Sequence, residues 1–149
     1  MELKIEKTET PSRELLLLAD ESEALVDYID RGTAYAALRD GRIVGQYVLL
    51  HTRPFTAEVV NIAVAPDCQR QGIATALLRH AAETARRAGF RILEIGTGDC
   101  GLGQIALYER CGFVRTGLDV DYFRKFCPVP VFENGVECRH MVRLSMDLN

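Results

Sequence analysis

Ile73, Ala76, Leu77, Ala81, Ala85 and Ala88 recur at three- and four-residue spacing, with Arg79, Glu83, Arg86 and Arg87 on the intervening positions. That period predicts an amphipathic helix within residues 70–88. Arg86 and Arg87 suit its negative C-terminal end, and Gly89 suits the C-cap. Apolar residues recur at strand-like spacing, or in short β-branched runs, over Leu3–Glu6, Thr33–Arg39, Arg42–Leu50, Glu58–Val64, Arg91–Ile95, Phe113–Leu118 and His140–Leu148. These stretches predict strands. Asp40-Gly41 predicts a two-residue hairpin turn, and Asn134-Gly135 a second that leads into the last strand. Thr10-Pro11 reads as an N-cap followed by proline at the first helical position, opening a helix over residues 11–19. Asp20-Glu21-Ser22-Glu23 caps a second short helix that ends near Arg31-Gly32, and Leu102–Cys111 forms a helix closed by Gly112. The order is strand, two helices, three strands, helix, strand, helix, two strands. It predicts a mixed α/β or α+β domain rather than a regular βαβ array.

The length of 149 residues fits one domain over residues 1–149. A chain of that size buries roughly 68–70% of its unfolded surface. Its net charge of −3 argues against a nucleic-acid partner, which calls for a basic face. The mild acidic surplus is compatible with a cationic substrate, and equally with plain solubility. The longest early apolar run, Leu15–Ala19, is too short to cross a bilayer, so no membrane partner is expected. The five cysteines are odd in number, form no C-x-x-C pair and follow no signal-peptide pattern, so they read as reduced thiols of a cytoplasmic protein. His51, His80 and His140 lack metal-ligand spacing, and no metal is expected.

The stretch "VAPDCQRQGIATALL", residues 64–78, carries the first chemical signal. A strand stops at a proline and a glycine leads into the long helix. The unpaired N–H groups at a helix start sit at its positive end and hold anions without a lysine. Gly72 and Ala74 are small enough for a diphosphate to approach, and the Gly-Lys-Ser/Thr of a Walker loop is absent. The same residues would also serve an ordinary capped helix. A second stretch, "ILEIGTGDCGLG" at residues 92–103, resembles the first motif of S-adenosylmethionine methyltransferases. Cys100 replaces its third glycine, however, and about fifty residues remain after it, too few for the rest of a doubly wound sheet.

Q-x-x-G-x-A after "VAP" resembles the pyrophosphate loop of the GNAT superfamily of N-acetyltransferases. "ALYERCGF", residues 106–113, resembles that superfamily's second signature, in the expected order. "GTG" before it and "FENGVECRHMVRL" near the end are similar to small bacterial members. The resemblance implies a central, mostly antiparallel twisted sheet of about seven strands, splayed between the fourth and fifth, with about four helices. It implies direct transfer of an acetyl group from acetyl-CoA to a primary amine of a small molecule or peptide. Homodimerisation is compatible with it, as is a non-catalytic acyl-CoA binding module.

The residues the resemblance implies for acetyl-CoA are Ile62, Ala63 and Val64 on the fourth strand, then Gln69, Arg70, Gln71, Gly72, Ile73, Ala74 and Thr75 on the loop and helix start. Asp99, Gln104 and Tyr108 would meet the pantetheine arm. Asp99 stands where many members have asparagine, so it keeps an acceptor and loses an amide donor. Tyr108 matches the tyrosine placed near the thioester sulfur. Glu58, eleven residues before Gln69, resembles the glutamate base of one branch of the superfamily. A base helps because a protonated alkylamine, pKa about 10.4, is almost entirely non-nucleophilic at neutral pH. Strict alternation places Glu58 on the face of Val60, Ile62 and Val64, and Asn61 on the other, where it could position a water. Asp20, Glu21, Asp27, Asp119 and Asp121 would make the acceptor region attractive to a cationic amine.

Overall fold

The computed structural model describes residues 2–20 and 23–149. Seven strands form one sheet: β1 (Lys4–Thr8), β2 (Thr33–Arg39), β3 (Arg42–Arg53), β4 (Thr56–Val64), β5 (Ile92–Gly98), β6 (Val114–Asp119) and β9 (Met141–Asp147). Their order is β1-β2-β3-β4-β5-β9-β6, and every pairing is antiparallel except β4 with β5. A separate two-residue hairpin, β7 (Phe132–Glu133) and β8 (Val136–Glu137), closes through Asn134 and Gly135, both at positive φ. The expected final hairpin is thus smaller than its sequence suggested. The long strand β9 belongs to the main sheet, inserted between β5 and β6.

Helices α2 (Ile73–Arg87) and α3 (Leu102–Arg110) share one core with one face of the sheet. The face of α2 that is buried comprises Ile73, Leu77, Leu78, Ala81, Ala82 and Ala85, so Ala88 lies outside it. His80 is on the flank of α2, with Nδ1 2.7 Å from the Tyr47 hydroxyl. On the other face, α1 (Arg13–Ala19) and the 3-10 segment Glu23–Asp30 cover a smaller core of Leu16, Val26, Tyr28, Ala34 and Val48. Helix α4 (Tyr122–Phe126) follows β6.

Helix α1 begins at Ser12, not at Thr10. The Ser12 hydroxyl accepts from Leu15 N, while Gln46, buried on β3, accepts from Ser12 N at 2.8 Å and donates to Ser12 O at 2.8 Å. A partner 34 residues away therefore joins the local Ser12 cap in fixing the helix start. The expected cap of the 3-10 segment includes Glu21 and Ser22, which lie outside the described residues. The β2–β3 turn is as expected, with Asp40 and Gly41 at φ 53° and 77°.

The cysteine expectation needs correction. Cys100 and Cys138 form a disulfide, their Cα atoms 4.9 Å apart, across 38 residues of sequence. Spacing along the chain could not reveal it, because the pair meets only when β9 docks beside β5. The glycine-rich stretch is also resolved: Gly96 and Gly98 are part of strand β5, paired with Arg143 and Met141, and not a loop after a strand.

Candidate active site

Strand β4 hands over to α2 through a tight loop. Ala65 N bonds Val44 O at 2.8 Å, a 3-10 turn covers Pro66–Cys68, and Gln69 Nε2 reaches back to Val64 O at 3.2 Å. Arg70 and Gly72 then adopt φ 63° and 82°. Left-handed backbone at Gly72 suits a residue without Cβ. Helix α2 has no side-chain cap at its N-terminus, and Ala76 N to Gly72 O begins its bonding. The N–H groups of Ile73, Ala74 and Thr75 are left without intrahelical partners at the positive end. A Cβ on Gly72 would meet nothing within 4 Å, so open space lies beside those donors. Arg39 Nη1 donates to Gln71 Oε1 at 2.6 Å, which brings a cation to this loop that sequence spacing did not signal. The loop thus fits a diphosphate: free donors, positive potential and room.

Beside the loop the sheet opens. β4 and β5 pair only over Thr56–Val59 and Ile92–Ile95. Beyond that, β4 runs on to Val64 and β5 to Gly98 without pairing to each other. Ile62, Ala63 and Val64 lie on the β4 edge of this opening. Across it, the junction from β5 to α3 is tied to the start of β9: Asp99 N donates to His140 O, and Arg139 N donates to Asp99 Oδ1, both at 2.9 Å. The Asp99 carboxylate therefore already serves a backbone donor. Gln104 is exposed on α3. Tyr108, also on α3, is buried with its ring edge-on to Phe113, and its hydroxyl forms no hydrogen bond among the described residues. Burial, helped by the nearby Cys111, pushes its pKa up to about 12.

The opposite face carries the carboxylates. Leu50 pairs with Glu58 and Val48 with Asn61, so a β-bulge at Val60 interrupts the ladder. Leu50 and Val48 are two apart on β3, and their partners Glu58 and Asn61 therefore share a face. Strict alternation had put them on opposite faces; the extra residue of the bulge reverses that. Arg143 from β9 donates to Glu58 Oε2 at 2.9 Å and to Asp119 Oδ2 through Nε at 2.8 Å. Glu94, the cross-strand neighbour of Glu58, pairs with Arg53. Burial raises the Glu58 pKa; the Arg143 charge and hydrogen bond pull against it, and Glu94 and Asp119 add to the rise.

Asn61 is 3% exposed. Its Nδ2 lies 3.0 Å from Leu16 O, 3.1 Å from Asp20 Oδ2 and 3.0 Å from the Tyr28 hydroxyl, three acceptors that share its two hydrogens, and Tyr28 in turn donates to Asp20. Tyr122 of α4 is close enough for its pKa, raised chiefly by burial, to respond to Asp20, Arg143 and Glu58. A pocket of about 520 Å³ lined by Asp119, Tyr122 and Arg143 adjoins this cluster. The fold thus brings together Asp20, Glu58, Asn61 and Asp119 from the sequence reading. Asp27 is paired outside it with Arg31, and Asp121 with Arg139. Glu21 lies outside the described residues. Arg143, Tyr28 and Tyr122 escaped the sequence reading, because nothing in local spacing links β9, the 3-10 segment and α4 to β4.

Comparison with known proteins identifies the family and the fold. Residues 3–113 match the acetyltransferase (GNAT) family. The chain is 44% identical over 144 residues to YvbK, an uncharacterized N-acetyltransferase of Bacillus subtilis, covering 96% of this chain and 93% of YvbK. The solved structure of an IAA acetyltransferase from Bacillus cereus superposes with a TM-score of 0.95 at 47% identity, covering 98% of this chain and 99% of that one. A GNAT family acetyltransferase from Elizabethkingia anophelis, solved with acetyl-CoA bound, superposes with a TM-score of 0.94 at 39% identity, covering 97% of each chain.

Proposed function

The chain belongs to the GNAT acetyltransferase family, and from that premise we propose that it moves an acetyl group directly from acetyl-CoA to a primary amine of a small molecule or peptide. The observation that carries the reading is the uncapped N-terminus of α2 beside the unpaired stretch of β4. Acetyl-CoA supplies an activated acetyl thioester. The N–H groups of Ile73, Ala74 and Thr75 bind its diphosphate, with Gln69, Arg70, Gln71 and Gly72 shaping the approach. A backbone N–H of Ile62, Ala63 or Val64 donates to the thioester carbonyl. Amine and thioester held side by side react as one body.

Glu58 takes the proton from the amine. Burial keeps this carboxylate more basic than usual, and Arg143 limits the rise. Tyr108 comes from the α3 side, opposite Glu58, and donates a hydrogen bond to the departing sulfur. Full proton transfer from a phenol with pKa about 12 to a thiolate near 8.5 is uphill by about 5 kcal/mol, so the hydrogen bond is the role that the burial of Tyr108 favours. Asp99 and Gln104 lie at the pantetheine side. Residues 1–149 act as one domain in this reading. The exposed apolar side chains Val114, Leu118 and Val120, on and after the edge strand β6, support a homodimer.

The test is a coupled assay of free CoA thiol with acetyl-CoA and a panel of polyamines, aminoglycosides, amino acids and peptides. Amine-dependent CoA release is expected. Tyr108→Phe should lower its rate on the order of a hundredfold without weakening CoA binding, since the hydroxyl acts only as sulfur departs. Tight CoA binding with no release over the whole panel would leave a binding module instead.

A further inference from the structure

Among the described residues of the acceptor face, Asp20 is a carboxylate with no counter-charge. Glu58 and Asp119 share Arg143, and Glu94 has Arg53. Asp20, half-buried at the end of α1, is held only by the neutral donors Tyr28 and Asn61, and among the described residues no cation pairs with it. Burial is the first cause of its raised pKa. A carboxylate withdrawn from water without a cation sits in an unfavourable place unless a ligand supplies the charge.

The neighbouring amide gives an independent sign. The two hydrogens of Asn61 Nδ2 face Leu16 O, Asp20 and the Tyr28 hydroxyl, and because the Leu16 carbonyl and the Asp20 carboxylate only accept, this end of the amide is the nitrogen. Its Oδ1, buried with the rest of the side chain, has no hydrogen-bond partner among the described residues. An orphaned buried acceptor beside an unpaired carboxylate calls for a donor with several N–H groups and a positive charge. An alkylammonium has three donors and the charge. The rings of Tyr28 and Tyr122 stand nearby, and aromatic faces add to the attraction of a cation. Asn61 also lies just past the last β4–β5 pair, Val59 with Ile95, so the cluster borders the opening of the sheet.

We infer that Asp20, with Tyr28 and Asn61, forms a subsite for an ammonium group of the acceptor, so that the acceptors are cationic amines rather than neutral or carboxylate-ended ones. This rests on the acetyl-transfer reading and gives it a substrate class. Asp20 and Asn61 bind in this scheme, and Glu58 remains the base.

The experiment is calorimetric titration of the CoA-saturated full-length protein, in which no transfer can occur. The probes are 1,4-diaminobutane and its neutral analogue 1,4-butanediol. The wild type should bind the diamine and not the diol. Asp20→Asn keeps the shape and an acceptor for Tyr28 and Asn61, and should weaken the diamine by about tenfold to a hundredfold, the range for a hydrogen bond to a charged group. Asp20→Glu should restore most of the affinity, which a purely structural role for Asp20 would not produce. Equal binding of diamine and diol, no diamine binding by the wild type, or unchanged affinity in Asp20→Asn would each overturn the subsite. Should Asp20→Asn fail to fold, Asp20→Ser, which also removes the charge, is titrated in its place with the same loss expected, and unchanged affinity would overturn the subsite. A negative result alongside amine-dependent CoA release would remove the subsite and leave the acetyl-transfer reading intact. Diamine binding by a protein that binds no CoA would do the reverse.

Discussion

Arg143 sets how basic Glu58 can be. Burial and the charges of Glu94 and Asp119 all raise the carboxyl pKa, and Arg143 alone pulls it down. Replacing Arg143 with glutamine removes the lowering influence and leaves the raising ones. The group then holds its proton to higher pH, and the active, unprotonated base appears later on titration. The acid limb of the pH–rate profile should move alkaline by at least about one pH unit, the smaller end of what an opposite charge at this distance does. Glu58→Gln should abolish that limb and recover part of its turnover at high pH, where the amine loses its proton unaided. An Arg143→Gln profile that overlays the wild type would remove Glu58 from the proton path. The sequence offered Glu58 and Asn61 as candidates but put them on opposite faces. Alternation is blind to a bulge, and the extra residue at Val60 is what sets both toward α1. Arg143 was invisible for a different reason: it lies 85 residues from Glu58, and only the antiparallel docking of β9 against β5 brings it near.

At the scale of elements, the hydrophobic period located α2 well, and its start was legible because Pro66 stops an apolar strand and Gly72 leads into a helical pattern. Short elements were less so. Five residues of α4 give no period to read, and the start of α1 depends on Gln46 as well as on the Ser12 cap. The start of α2 permits a clean test. Gly72 has left-handed φ, so Gly72→Ala adds backbone strain of about 1–2 kcal/mol with open space around the new Cβ. Gly72→Glu adds the same strain and a carboxylate among donors meant for a diphosphate. Both variants should stay folded with similar melting temperatures. The alanine variant should keep most of its CoA affinity by calorimetry and the glutamate variant lose nearly all of it, because only the second repels the anion. Equal losses would mean that the backbone conformation, and not the anion site, governs binding.

Across the whole molecule, the end of β5 that has left β4 is tied to the start of β9. Cys100 closes the turn into α3, Cys138 precedes β9, and their disulfide links the helix that carries Tyr108 to the strand that carries Arg143. The 38-residue loop so closed contains α3, β6, α4 and the β7–β8 hairpin. Restricting an unfolded chain over such a loop is worth about 4 kcal/mol in the chain-entropy account. The native junction does not depend on the bond alone. Asp99 N to His140 O and Arg139 N to Asp99 Oδ1 stitch the same segments at 2.9 Å. Reduction should therefore act on the unfolded state: the melting temperature falls by roughly 8–16 °C for a chain of this size, while the fold and CoA binding persist below it. Cys138→Ser should melt at the reduced wild type's temperature and show no further drop with dithiothreitol. The measurement is thermal unfolding by circular dichroism with and without dithiothreitol, on both proteins, with thiol counting to follow the bond. A wild type that gains two titratable thiols on reduction yet keeps its melting temperature would show that the cross-link constrains nothing the hydrogen bonds do not already hold.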